Sequence, residues 1–289
     1  MNIKSDSKYI YVTKGNLNVV LSCLGAAIVE IKYNDDLLTM TPINYDDLNR
    51  EDIYYGKTIG PVANRVKDGL IKIDNQNYYL PLNEKGVCNH SGKAGLSNQI
   101  FDVDIKEEKV IFTYKTHMFD GDITFSVIYL FALYNQITID YEVRTTNKAV
   151  LSLTNHTFFT LGESCVDNLS IDINVDQYIE SDKETLLPLS IKPYTQDINL
   201  NGGTYDSCFL LKDKRVVLES TKYRLIIDGN YPCVQIYTDN FEDGVLVKNT
   251  NLKTRRAVAI EPEDNLLEKT LINKDEIYLR YIVYSFTLK

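Results

Sequence analysis

Tryptophan is absent from this chain of 289 residues, and histidine and methionine occur three times each. Nowhere do about 18 apolar residues run together, so no segment reads as a helix that spans a bilayer. Positive charge is short too: 31 lysines and arginines face 40 aspartates and glutamates, a formal charge of -9. That balance argues against nucleic acid, whose phosphates call for clustered cations, and against an anionic membrane surface. The five cysteines, Cys23, Cys88, Cys165, Cys208 and Cys233, are odd in number and contain no CxxC. They suit reduced thiols in a cytoplasm better than a disulfide framework or a zinc centre. The first residues, MNIKSDSKYIYVTKGN, carry no apolar h-region and so do not read as a secretory signal. GxSxG, Walker, GxGxxG and HExxH patterns are all missing, so no nucleotide cofactor and no metal is expected.

What the chain does have is aromatic β-formers, 21 tyrosines and 10 phenylalanines, in a composition that is 44% hydrophobic and 25% charged. Short β-type runs recur from end to end with turn residues between them. In Gln136 to Thr145, Ile137, Ile139, Tyr141 and Val143 alternate with Thr138, Asp140, Glu142 and Arg144, one buried face and one wet face. Hairpins are expected at Leu70 to Leu80, at Val103 to Tyr114, and between Ile123 to Leu133 and Gln136 to Thr145. The final run, Ile277 to Leu288, is apolar on both faces, as a central strand covered on both sides would be. Only short turns near Asn44 to Asp52 and Leu266 to Asn273 compete with strand. The pattern predicts one all-β domain over residues 1–289, a large antiparallel β-sandwich with few short helices.

The stretch with most chemistry is LSLTNHTFFTLG, Leu151 to Gly162. Read with period two as one strand, it places Leu151, Leu153 and Asn155 on a core face. Ser152, Thr154 and His156 fall on a face turned to water or ligand. An imidazole there is either a hydrogen-bonded structural group or one that exchanges protons near neutrality. NHSGKAG puts His90 in a glycine-bearing loop. PVANRV carries Asn64 and Arg65, the arginine being either an ion-pair partner or a fork for ligand hydroxyls. GGTYDSCF places Asp206 after a Gly-Gly turn, as an Asx turn or a hydroxyl acceptor. In AVAIEPEDN, Ala257 and Ala259 share a face with Glu261, leaving room for a ligand ring. Pro262 marks Glu261 as a strand-end carboxylate at a rim. His117 lies in a turn and is given no role.

Taken in order, these stretches resemble the aldose 1-epimerase (galactose mutarotase) family. TIGPVANRV is similar to IGRYANRI, NHSGKAG to the HGGxxG loop and LTNHTFFTLG to LTNHTYFNL. GGTYDSCF is similar to GGxYDHCF, VQIYTDNFEDG to VQFYTGNFxDG and AIEPEDN to CLEPQ. The chain departs from these patterns at Ser91, Thr160, Ser207, Asp239 and Glu263. The resemblance implies a galactose mutarotase-like supersandwich with a sugar on the open face of one sheet. It implies Glu261 as general base, His156 as general acid and His90 as the second active-site histidine. Asn64, Arg65 and Asp206 match sugar-contacting positions.

The implied reaction interconverts the α and β anomers of a free hexose such as galactose or glucose. Ring opening takes a proton from the anomeric hydroxyl and gives one to the ring oxygen, work for one carboxylate and one imidazolium. The expected partner is a small-molecule aldose, with the protein a monomer or homodimer. Three rivals stay open. A glycoside hydrolase would use Asp206 and Glu261 as paired carboxylates. A carbohydrate-binding module would not need the histidines, and a sugar-phosphate mutarotase would need a cation such as Arg255, Arg256 or Lys93 at the site.

Overall fold

Alternation of side chains decides the architecture. In the computed structural model, which describes residues 1–289, Gln136–Thr145 buries Ile137, Ile139, Tyr141 and Val143 and leaves the intervening residues partly or fully exposed. It lies inside an eight-stranded antiparallel sheet ordered Asp102–Ile105, Lys109–Met118, Gly121–Leu130, Gln136–Thr145, Ile277–Leu288, Tyr223–Gly229, Arg215–Glu219, Ser170–Ile173. A six-stranded sheet runs Phe158–Phe159, Val258–Glu263, Cys233–Tyr237, Asp206–Leu210, Gln177–Ser181, Pro188–Pro193. The N-terminal strands from Asn2–Ser5 to Asp36–Leu37 make a five-stranded sheet in sequence order.

The inner faces of these sheets meet in one cluster of 54 buried residues, among them Ile28, Phe125, Tyr141, Tyr284, Val234, Ile236, Val258 and Ile260. The result is an all-β sandwich whose helical content is four short 3-10 turns. No helix is long and apolar enough to cross a membrane. The three expected hairpins form, with registers such as Ile73 opposite Gln76 and Ile105 opposite Val110.

Two sequence expectations fail here. Ile277–Leu288 is central in the ladder, between Gln136–Thr145 and Tyr223–Gly229. It is nevertheless covered on one face only: Tyr278, Ile282, Tyr284 and Phe286 are buried while Leu279 and Tyr281 are 55% and 41% exposed. An antiparallel sheet is stable with a single covered face, so apolar residues on both faces do not require a second layer.

Leu151 to Gly162 is not one strand either. Ala149–Leu151, Thr154–Asn155 and Phe158–Phe159 pair with three different partners, Thr270–Ile272, Thr58–Ile59 and Val258–Glu263. Every residue from Leu151 to Leu161 is buried, and of Ser152, Thr154 and His156 only His156 lines a cavity. The segment threads between sheets, and side chains replace the ladder at its bends. Asn155 donates from Nδ2 to the Gly56 carbonyl at 2.9 Å and accepts from the Thr157 N–H at 3.1 Å.

Candidate active site

With Val258 and Ile260 committed to the core, Ala259, Glu261 and Glu263 must point from the other face of the six-stranded sheet. Register arranges that face in rows. Phe158, Ala259, Tyr237 and Asp206 stand across from one another; Glu261, Gln235 and Cys208 form the next row; Glu263, Cys233 and Leu210 form the third. Phe158, Tyr237 and Asp206 of the first row, with Glu261 and Gln235, floor a cavity of about 230 Å³. Its walls include Tyr54, Asn64, Arg65, His90 and His156. All six residues singled out from the sequence therefore meet in one place.

Glu261 is not the rim residue that Pro262 suggested. The strand continues through Pro262 to Glu263, and the Glu261 side chain is 3% exposed. The proline is tolerated because Phe158–Phe159 pairs only with Val258 and Ala259. Beyond Ala259 one edge of the strand has no ladder to interrupt.

The histidine loops rise from the paired strands Arg65–Lys67 and Val87–Asn89. Asn64 and His90 both adopt left-handed backbone, at φ 60 and 53 degrees, uncommon for residues other than glycine. They hold each other: the His90 N–H donates to the Asn64 carbonyl, and the Asn64 N–H donates to His90 Nδ1, each at 3.2 Å. In a neutral ring that leaves the proton on Nε2. Gly95 of NHSGKAG has a steric reason, since a Cβ there would lie 2.5 Å from the His90 carbonyl oxygen.

His156 places Nε2 3.4 Å from Glu261 Oε1, and its buried Nδ1 has no hydrogen-bond partner. Its ring packs against Phe158 and His90, with centroids 4.9 and 5.6 Å away, and stacks on Tyr54 at 5.8 Å. Burial dominates the electrostatics. It pushes Glu261 well above the usual carboxylate range, aided by the charges of Glu263 and Asp206 and opposed by Arg65. It pushes His156 down to about 4, and His90 well below an ordinary imidazole with help from His156 and Arg65. For His156 the loss of water outweighs the one opposing influence, a backbone hydrogen bond. Each group thus favours its neutral form, and the pair holds one proton between two adjacent atoms.

Arg65 is an ion-pair partner whose guanidinium also lines the cavity. Its Nε donates to Glu84 Oε2 at 3.1 Å, while Nη1 faces Asp206 Oδ2 at 3.9 Å. Gln235 Nε2 donates to Asp206 Oδ1 at 2.6 Å. Burial nevertheless raises Asp206, against the pull of Arg65 and Gln235. Behind the lining residues Asp239 and Asp243, the 1% exposed Arg256 binds Asp239 through Nε at 2.7 Å and Asp243 through Nη2 at 2.8 Å. It also donates to the Tyr55 hydroxyl at 3.0 Å. No three His, Cys, Asp or Glu side chains converge as metal ligands would.

Among the lining residues given no role from the sequence are Tyr54, Phe158, Gln235 and Tyr237. Gln235 had a signal, being polar inside the apolar run CVQIY. Tyr54 lies in an aperiodic loop and had none.

A family model described as aldose 1-epimerase matches residues 8–285, and the chain belongs to that family. It is 27% identical to the galactose mutarotase of Homo sapiens over 222 residues, 67% of this chain and 64% of that protein. The match therefore spans a little under two thirds of that relative's length. The solved galactose 1-epimerase of Lactobacillus acidophilus NCFM superposes with a TM-score of 0.86 at 21% identity, covering 99% of this chain and 96% of that one. A GalM/aldose epimerase homologue from C. elegans also gives 0.86, at 23% identity and 96% and 97% coverage. Likeness at such identities speaks for the fold.

Proposed function

We propose that this member of the aldose 1-epimerase family is a mutarotase that interconverts the anomers of a free, uncharged aldose. The observation that carries the reading is the 3.4 Å approach of His156 Nε2 to Glu261 Oε1 within the cavity. The two oxygens that exchange protons in mutarotation are both bonded to C1. An acid and a base acting on them must stand side by side, and these do.

Glu261 takes the proton of the anomeric hydroxyl while His156 gives one to the ring oxygen. C1–O5 breaks, the aldehyde turns about C1–C2, and the reverse transfers close the other anomer. Because one proton enters as another leaves, neither alkoxide nor oxonium need persist; such paired transfers typically contribute about 10²–10⁴-fold each. The dry surroundings tolerate the charged form of the pair because carboxylate and imidazolium sum to zero. His90, neutral with its proton on Nε2, donates to a sugar oxygen. Arg65, Asp206 and Gln235 take hydroxyls, and Phe158 and Tyr237 cover the apolar face of the ring.

The hydrolase reading is weaker, since Gln235 stands across from Glu261 and its amide binds Asp206. That occupies Asp206 as a polar anchor. The sugar-phosphate reading lacks a cation free of carboxylate partners. Arg256 is spent on Asp239 and Asp243, Arg255 on Asp167 and the carbonyls of Gly203 and Leu200, and Lys93 is exposed away from the cavity. Arg65 is the one cation among lining residues that include Asp52, Asp206, Asp239, Asp243 and Glu261.

Polarimetry on freshly dissolved α-D-glucose and α-D-galactose tests the reading. The protein should speed the decay of rotation for at least one of them and leave the 6-phosphate of that sugar at its spontaneous rate. No acceleration with either hexose would refute it.

A further inference from the structure

One buried acid has no part in this chemistry. Glu263 follows Glu261 by two residues and shares its face, but sits in the third row, beyond the cavity lining. Its neighbours there are Cys233 and Leu210, within a small apolar cluster of Ile179, Cys208, Cys233 and Leu266. Glu263 is 1% exposed and its Oε1 has no hydrogen-bond partner. Cys208 and the Asn64 amide approach the carboxyl. Lys269 is the one cation acting on it, yet the buried Nζ of Lys269 bonds to nothing. Asp264, the other acid facing it, is already held by Arg280 Nε at 2.9 Å and the Tyr278 hydroxyl at 2.5 Å.

An unpaired carboxylate in such a place costs far more than the neutral acid. Two carboxyls on adjacent rows of one strand cannot both ionise cheaply.

We propose that Glu263 is a positioning residue carried as a neutral acid, which lets Glu261 reach its carboxylate form during turnover, and that loss of the Glu263 proton shuts the site on the alkaline side. The proposal rests on Glu261 being the base. Burial holds the Glu263 carboxyl up to about 8, with Lys269 opposing. After burial, the charge of Glu263 is the largest influence raising Glu261. His156 is held down by burial, with a backbone hydrogen bond opposing. An ionised Glu263 therefore tightens the hold of Glu261 on the shared proton, and the charged carboxylate–imidazolium form that accepts from the sugar becomes too costly to reach.

Two measurements on the full chain test this, with Glu263→Gln as the shape-matched neutral variant. The first is the melting temperature against pH. Relative to an unfolded-state value near 4.5, the folded group is raised to about 8. Its stabilising contribution is then full below the unfolded value and lost as pH climbs to about 8. Glu263→Gln lacks that loss, so its melting temperature should gain on wild type steadily across this range. A variant destabilised equally at every pH would mean an ionised Glu263 paired with Lys269, and would overturn the proposal.

The second is polarimetric turnover against pH. Glu263→Gln should keep turnover at neutral pH and move the alkaline fall up by about one unit or more. Lys269→Met should also move it up, because the ammonium favours the ionised form. An alkaline fall unmoved in Glu263→Gln would overturn the switch. If wild type shows no mutarotation at all, the reading of the site fails, while the melting curves still decide the state of Glu263.

Discussion

His156 Nε2 and Glu261 Oε1 lie 3.4 Å apart with side chains only 8% and 3% exposed. A carboxyl and an imidazole in contact, both stripped of water, form a single proton-holding unit. Burial drives the carboxyl up and the imidazole down, so the resting pair is neutral glutamic acid beside neutral histidine. The charged arrangement needed for ring opening is one proton transfer away, with no change in net charge.

Removing either half should stop the reaction without unfolding the protein. Glu261→Gln keeps size and hydrogen bonding and should lower kcat by about 10²–10⁴-fold, as should His156→Asn. The double variant should be little worse than either single one, because the two side chains act in one step. A Glu261→Gln enzyme with near wild-type turnover would remove Glu261 from the role of base.

The pH profile follows from the same directions. With His156 at about 4, the pair takes up its second proton only in strong acid, so kcat should hold across mildly acidic pH and fall below about 4. With Glu261 raised, the pair keeps its last proton far above the usual carboxylate range, so neutral pH lies inside the active window. Steady-state polarimetry across the range checks this. A fall in kcat on rising through about 6.5, the ordinary histidine value, would show an unburied imidazole and contradict the neutral pair.

Asp206 should matter to binding more than to turnover. Its carboxylate is anchored by Gln235 at 2.6 Å and faced by Arg65 at 3.9 Å, so it offers a fixed acceptor to a sugar hydroxyl. A hydrogen bond to a charged group contributes about 1.5–3 kcal/mol, so Asp206→Asn should raise KM roughly 10- to 100-fold and spare kcat. A collapse of kcat with KM held would make Asp206 a proton-transfer group and revive the hydrolase reading.

Arg256 should act on stability. Its guanidinium neutralises Asp239 and Asp243 and caps the Tyr55 hydroxyl in a dry site. Arg256→Met would strand these acids and should cost about 3–5 kcal/mol by urea denaturation. Adding Asp239→Leu should return part of it, since a buried ion pair replaced whole by apolar groups is often neutral. A single variant within about 1 kcal/mol of wild type would show that water reaches the cluster.

Much of the architecture was legible because it follows from local rules. Period-two alternation sets which face of Gln136–Thr145 is buried, and turn chemistry between short runs sets the hairpins. The residue types at the site were legible as well. His90, Asn64, Arg65, His156, Asp206 and Glu261 stand in motifs whose order survives low overall identity.

Tertiary structure decided three things that pattern could not. It broke Leu151 to Leu161 into three pieces on three partners, because a segment passing between sheets answers to whatever flanks it and not to its own period. It ran a strand through Pro262, because the neighbouring strand had already ended. It set the protonation of His156, Glu261 and Glu263, because the cost of a charge depends on how much water remains around it. Burial is a property of everything packed against a residue, and for these three the covering groups come from strands far apart in the chain.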